Sequence, residues 1–172
     1  MSKILKREFF NRPTLKVAEE LLGFFLCRRI GRKTIRLKIT EVEAYDGPRD
    51  RASHASRGQT ARNAPMFGPA GRFYVYFTYG MHWMLNVVTG PEHYPAAILI
   101  RGTDKVSGPA RLTKFLRIDK SFNEKTATRK TGLWFENRSE KINPKAIQRT
   151  PRVGIAYAGP VWSKKPYRFV LE

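Results

Sequence analysis

An acidic residue ends an apolar, strand-like segment of this chain, and clusters of aromatic residues follow it. Residues 40–45 read Thr-Glu-Val-Glu-Ala-Tyr, and residues 74–79, which are rich in aromatic side chains, lead to Asn86. Aromatic side chains stack on planar rings, and a carboxylate can take a proton from water. The combination predicts a pocket for a planar base beside an acid that activates water.

The chain also carries a large excess of positive charge. Its 172 residues include 33 Lys and Arg against 14 Asp and Glu, a formal net charge of +19. Solubility of a small domain needs far less, so the composition predicts a polyanionic partner. Charge alone does not identify that partner, because ribosomal proteins, RNA chaperones and membrane-surface binders share such a composition. Glu41 and Glu43 interrupt the cation-rich stretch 28–62, where carboxylates add nothing to nucleic-acid binding, and therefore indicate chemistry.

The motifs resemble those of the alkyladenine (3-methyladenine) DNA glycosylases, which are monofunctional base-excision enzymes. The resemblance includes three further motifs, which are Arg-Ala-Ser-His at 51–54, Gln-Thr-Ala-Arg-Asn at 59–63 and Met66-Phe67. It runs from Phe10 to Pro-Tyr-Arg-Phe at 166–169, with Tyr167 in place of the family's usual Trp and a short basic stretch at 125–141. The resemblance implies double-stranded DNA with damaged purines as the partner, water as the nucleophile and no cofactor.

The resemblance also implies a role for each central residue. Glu43 would take the proton of the attacking water, with Arg101 helping to hold that water. Tyr45, His54 and Tyr76 would stack on the flipped base. Asn86 would crowd the 2-amino group of guanine, and Tyr79, followed by Met81, would fill the gap left in the duplex. The expected phosphate contacts are Arg57, Gln59, Thr60, Arg62 and Asn63.

Each of these residues also has an ordinary structural interpretation. Glu43 would then be a salt-bridged strand residue, Tyr79 a buried turn residue and Asn86 a strand residue bonded to backbone. A non-catalytic nucleic-acid-binding module of similar fold is the main alternative. A bifunctional glycosylase/lyase would need an amine nucleophile, and no Lys lies between Lys38 and Lys105. The sequence contains no CxxC, HExxH or GxxxxGK[ST] motif, so we expect no metal site.

The pattern of apolar residues predicts one α+β domain over residues 1–172, with a curved, largely antiparallel sheet and flanking helices. We expect a helix over 11–26, capped by Asn11, and a strand over 34–45. If that strand is unbroken, Glu43 and Tyr45 share the inward face of Ile39. A long loop should follow at 46–70, and a second helix should open at Ser107 with Leu112, Phe115 and Leu116 on one face. Further strands are predicted at 73–79, 83–89, 96–101, 131–136, 153–158 and 168–171, with a mobile loop at 120–130.

The remaining features concern the compartment. Cys27 is the single cysteine of the chain and lies at the end of the predicted first helix, so we expect a buried thiol and a reducing compartment. No apolar run approaches about 18 residues, and the first residues lack a signal-peptide hydrophobic region. We therefore expect a cytoplasmic, nucleoid-associated monomer.

Overall fold

The computed structural model describes residues 2–172, which fold around one large antiparallel sheet. Its strands are β1 (Lys3–Ile4), β2 (Phe25–Ile30), β3 (Lys33–Asp46), β4 (Phe73–Thr78), β5 (His82–Val88), β6 (Ala96–Thr103), β7 (Leu133–Asn137), β8 (Ile147–Thr150) and β9 (Arg168–Leu171). The α-helices are α1 (Arg7–Phe10), α2 (Thr14–Leu21), α3 (Pro109–Leu116) and α4 (Gly159–Trp162). Short 3-10 helices cover His54–Arg57, Ala64–Phe67, Lys120–Phe122, Pro144–Ala146 and Ala156–Ala158. The predicted α+β class is confirmed.

The longest strand, β3, organises the sheet. The strand order is β1-β7-β2-β3-β6-β5-β4, and β9 pairs with β3 and with β8. The first half of β3 pairs with β2, whereas its second half lies between β6 and β9. Along the part of the chain that the structure describes, none of the helices has the length and apolar character needed to cross a bilayer.

A bulge in β3 decides which of its side chains face the core. The register between β3 and β6 shifts between Ile39 and Val42. Ile39 lies in the main core before the shift, and Val42 and Ala44 lie in the same core after it. Since a bulge inverts the alternation of side chains, Glu43 and Tyr45 project to the opposite face. The expectation that they share the face of Ile39 is therefore wrong, because it assumed an unbroken strand.

The first predicted helix ends earlier than its apolar pattern suggests. Helix α2 ends at Leu21, and Gly23 adopts a φ of +81° while its N–H donates to the carbonyl of Ile39. Gly adopts this left-handed backbone conformation readily, and the conformation ends the helix. Phe25 and Cys27 therefore lie in β2. Pro13, not Asn11, occupies the N-cap position.

Cys27 is a buried thiol, as predicted, although it lies in a strand and not in a helix. Burial, followed by the negative charge of Glu136, raises the pKa of the thiol to about 12. The group therefore stays protonated at neutral pH, which makes it a poor nucleophile.

Helix α3 turns a different face to the core from the one predicted. Leu112 and Leu116 are fully buried, but Phe115 is 50% exposed. Thr113 is buried in its place and donates its hydroxyl to the carbonyl of Trp83 at 2.8 Å. Residues 112, 113 and 116 lie within about 100° of one another around a helix, whereas position 115 falls outside that arc.

These two positions provide a test of the packing. Leu112→Ala should lower the free energy of unfolding by about 2 to 5 kcal/mol, because it leaves a cavity in the core. Phe115→Ala should cost much less, since half of its ring is already in water. Urea denaturation of both variants measures the difference, and equal losses would contradict this arrangement of α3.

Two other segments differ from expectation. Residues 153–158 form no strand, because Gly154 turns the chain at a φ of +72° into the 3-10 helix Ala156–Ala158. The segment 120–130 was expected to be mobile, but Phe122 is buried and backbone hydrogen bonds join the segment to Gly71 and Phe73. The prediction at 46–70 is confirmed as a long connection with only two short 3-10 helices.

Candidate active site

A cavity of about 880 Å³ opens where β3, β4, β5 and β6 meet the loops around residues 51–57 and 153–159. The bulge in β3 directs Glu43 and Tyr45 toward it. Three groups of predicted residues line the cavity. They are the catalytic residues Glu43 and Arg101, the base-pocket residues Tyr45, His54, Tyr76 and Asn86, and the DNA contacts Arg57 and Tyr79. Segments far apart in the sequence thus converge on one pocket, which is suited to a flat ligand.

Glu43 lies at the boundary of this pocket with its carboxylate held from two sides. Its side chain has no exposed surface. Oε1 accepts a hydrogen bond from the backbone N–H of Val153 at 2.7 Å, and Oε2 accepts one from the Tyr45 hydroxyl at 2.9 Å. Each carboxylate oxygen can accept a further bond. The carboxylate therefore still has acceptor capacity for a water molecule.

Arg101 lies between two carboxylates. Its Nε donates to Oε1 of Glu41 at 2.8 Å and is 3.6 Å from Oε1 of Glu43. Glu41 also accepts a hydrogen bond from Arg168 at 2.7 Å. Desolvation raises the pKa of Glu41, but the hydrogen bonds from Arg168 and Arg101 outweigh it and hold the pKa below its ordinary value. Glu41 is thus a salt-bridged strand acid, which leaves Glu43 as the acid at the pocket.

Aromatic rings form one wall of the pocket. The rings of His54 and Tyr76 lie 4.6 Å apart between centroids in an edge-on arrangement. Nδ1 of His54 is 3.1 Å from the hydroxyl of Tyr74. Desolvation by its neighbours, followed by the positive charge of Arg62, lowers the pKa of His54, so its neutral form dominates at neutral pH. The pocket therefore offers stacking surfaces with an uncharged ring nitrogen.

Asn86 has one end of its amide fixed by the sheet. It is buried in β5, borders the pocket, and donates from Nδ2 to the carbonyl of Tyr74 at 3.1 Å. Only the amide nitrogen can donate to a carbonyl, so the orientation is determined. Oδ1 accepts no hydrogen bond from residues 2–172 and is the free polar atom at this point of the wall. The backbone bond expected of an ordinary strand Asn is present, and it also holds the side chain rigidly at the pocket.

Tyr79 projects from the tight turn between β4 and β5. Its side chain is 84% exposed and its φ is +52°, while Met81 after it is also exposed. A left-handed tyrosine is uncommon and carries backbone strain. The ring is therefore held away from the core, as a wedge requires, and the alternative of a buried turn tyrosine is wrong.

The residues of the loop expected to contact phosphates differ in their exposure. Arg57, Gln59, Thr60 and Arg62 are exposed, and Arg62 also donates to the carbonyl of Phe77 at 2.7 Å. Asn63 is buried, donates to the carbonyls of His54 and Gly58, and accepts from the N–H of Thr60. Its polar side-chain atoms thus close the loop.

Comparison with known proteins identifies the family. The model of the family described as "Methylpurine-DNA glycosylase (MPG)" matches residues 8–108 and 103–172. The chain belongs to the methylpurine-DNA glycosylase family. It is therefore a DNA glycosylase, a hydrolase that acts on N-glycosyl bonds, and DNA is its substrate partner.

Relatives of this chain align over almost its whole length. A protein of Streptomyces avermitilis is 40% identical over 98% of this chain and 87% of its own. Proteins of Anaeromyxobacter dehalogenans and Methanocella arvoryzae are 41% and 38% identical, over 98% and 96% of this chain and 83% and 91% of their own. All three bear the name "Putative 3-methyladenine DNA glycosylase".

Sequence patterns did not indicate the role of three residues, two that line the pocket and one buried beneath it. Val153 contacts Glu43 through its backbone, which no side-chain motif reveals. Arg152 is fully buried beneath the site against Asp50. Tyr157 is exposed at the rim, and its hydroxyl donates to the carbonyl of Ala52 at 2.8 Å. All three depend on how the chain folds at 152–158, where a strand was predicted over 153–158.

Proposed function

We propose that this DNA glycosylase flips alkylated or deaminated purines out of duplex DNA and hydrolyses their N-glycosidic bond with a water molecule activated by Glu43. The observation that carries this proposal is the buried Glu43 carboxylate at the edge of a pocket walled by Tyr45, His54 and Tyr76. Those side chains suit a planar base, and the carboxylate borders the same cavity. The names of the relatives favour 3-methyladenine as one such base.

Flipping a nucleotide costs a few kcal/mol, and two features of the pocket offset that cost. Stacking of the base on aromatic rings contributes about 1 to 3 kcal/mol for each contact. The exposed ring of Tyr79 can enter the space that the nucleotide leaves, with Met81 beside it. The exposed Arg57 and Arg62 of the 57–62 loop would contact the flanking phosphates.

Hydrolysis requires a group that accepts the proton of the water and stabilises positive charge on the sugar. Glu43 can do both, because its carboxylate remains fixed by Val153 and Tyr45 while the base departs. Arg101, whose Nε is 3.6 Å from Oε1 of Glu43, would help to hold the water beside that oxygen. No lysine is among the described residues that line the pocket, so we propose a monofunctional enzyme without a Schiff base. A monomer suffices, since one chain supplies the whole pocket.

The proposal is tested by incubating the purified protein with four duplexes. They carry 3-methyladenine, 7-methylguanine, hypoxanthine or ethenoadenine, and an undamaged duplex serves as the control. Release of free base from the damaged duplexes but not from the control is expected. Tight binding to these duplexes with no base release would support the alternative of a non-catalytic binding module.

Selectivity against guanine-type bases should depend on Asn86. Asn86→Ser should raise excision of 7-methylguanine relative to hypoxanthine, because only the base with a 2-amino group gains room. The variant also loses the bond to Tyr74, so both rates can fall through destabilisation of about 0.5 to 3 kcal/mol. The ratio of the two single-turnover rates separates these effects, and an unchanged ratio would rule out a steric gate.

A further inference from the structure

Beneath the pocket lies a buried ion pair that no step of the proposed mechanism uses. The Arg152 and Asp50 side chains are both fully buried. Nη1 and Nη2 of Arg152 donate to the two carboxylate oxygens of Asp50 at 2.6 and 2.9 Å, and Nη1 also donates to the carbonyl of Ala44 at 2.8 Å. Such a two-point contact fixes the guanidinium in position and in orientation.

The pair links two loops at the pocket, the one before His54 and the one that begins at Val153, to strand β3. Asp50 accepts hydrogen bonds from the N–H groups of Asp46 and Ala52, which anchors the loop that leads to His54. On the other side, the residue after Arg152 is Val153, whose N–H donates to Glu43. The carbonyl held by Arg152 belongs to Ala44, the residue next to Glu43.

The guanidinium also supports the aromatic wall. It lies 4.7 Å from the centroid of the Tyr45 ring and 5.1 Å from that of Tyr167. The Tyr45 hydroxyl is the second donor to Glu43. Both groups that hold the carboxylate are therefore in contact with Arg152 or adjacent to it.

We propose that the Asp50 and Arg152 pair positions Glu43, by seating the Val153 N–H and the Tyr45 ring against its carboxylate. Neither residue of the pair touches the substrate in this account, so they are positioning residues. A planar guanidinium is needed, because an ammonium group can neither make the two-point contact nor stack on two rings. This inference rests on the proposed role of Glu43 as the base.

The test uses a double variant, Asp50→Asn with Arg152→Gln. Changing both partners avoids leaving one buried charge unpaired, which would unfold the protein for an unrelated reason. We expect the single-turnover rate of base release to fall about 10²-fold, as for a small misplacement of a catalytic group, while affinity for lesion DNA changes little. Arg152→Lys should show a similar loss of rate.

The matched control is Glu136→Gln. Glu136 is another buried carboxylate with an arginine partner, Arg129, and it lies in β7 outside the pocket. The Glu136→Gln variant should have a lower melting temperature and an unchanged single-turnover rate of base release. If Glu136→Gln lowers the rate as much as the double variant does, the loss reflects general destabilisation and the inference is overturned. Recovery of the full rate in Arg152→Lys would overturn it as well.

Combining the two substitutions of the double variant with Glu43→Gln in one protein tests this inference separately from the proposed function. If the pair acts through Glu43, the residual rate of Glu43→Gln should not fall further. An equal additional loss in that background would overturn the inference. If Glu43→Gln itself keeps the wild-type rate, the proposed function fails. If Glu43→Gln is inactive while the double variant keeps the wild-type rate, only the positioning role fails.

Discussion

Glu43→Gln should lower base release by about 10²- to 10⁴-fold and leave binding to lesion duplexes nearly unchanged. Gln has the same shape, and its amide oxygen can still accept from the N–H of Val153. Its amide NH₂ can donate to the Tyr45 hydroxyl oxygen, so the local structure should persist. What is lost is the ability to take a proton from water.

The neighbouring acid provides the matched control for that result. Glu41 lies two positions earlier in β3 and is held by Arg101 and Arg168. Glu41→Gln should weaken that ion pair and reduce the rate much less than Glu43→Gln does. Single-turnover rates and duplex affinities of both variants make the comparison. A loss in Glu41→Gln as large as that in Glu43→Gln would show that the wrong acid is assigned.

Affinity for duplex DNA should fall about 10²- to 10³-fold between 50 and 200 mM salt. The net charge of +19 and the exposed arginines of the 57–62 loop should neutralise roughly 4 to 6 phosphates, which gives a slope of log K against log salt of about −4 to −5. Fluorescence anisotropy with a labelled duplex measures the slope. A flat response, or tight binding to anionic vesicles and not to DNA, would contradict a DNA-binding surface.

Substitutions of single arginines can show where on the protein the DNA-binding surface lies. Arg57 is exposed beside the pocket, so Arg57→Gln should make the slope less steep by about 1. Arg32 is also exposed but lies in the turn before β3, at the opposite end of that strand from Glu43. Arg32→Gln removes the same charge and should leave the slope unchanged. Equal effects of the two variants would mean that the binding depends on net charge alone.

Local sequence patterns predicted which strands carry the site. They predicted less well on which face of the sheet the side chains of those strands lie. The alternation after Thr34 and the aromatic run from Phe73 predicted β3 and β4, because strand periodicity is visible in sequence. The bulge between Ile39 and Val42 was not predicted, since it depends on how β6 and β9 pair with β3. Glu43 was still identified, because its recognition rested on the resemblance and not on the facing.

The segment 152–158 shows why the rest of the site escaped sequence analysis. The sequence at 153–158 favours a strand, but Gly154 turns the chain there, and the buried Arg152 before it bonds to Asp50 and to the carbonyl of Ala44, both far away in the sequence. A partner at that distance leaves no local signal. The sequence likewise did not show that Asn63, predicted as a DNA contact, bonds to the carbonyls of its own loop.

The most direct test of the central claim is to follow base release and strand breakage in one reaction, with wild type and Glu43→Gln side by side. A labelled duplex containing hypoxanthine is incubated under single-turnover conditions and divided into portions with and without alkali. The account predicts free base from the wild type, an intact strand until alkali is added, and almost no free base from Glu43→Gln. Base release by Glu43→Gln at the wild-type rate, or strand breakage before alkali, would contradict it.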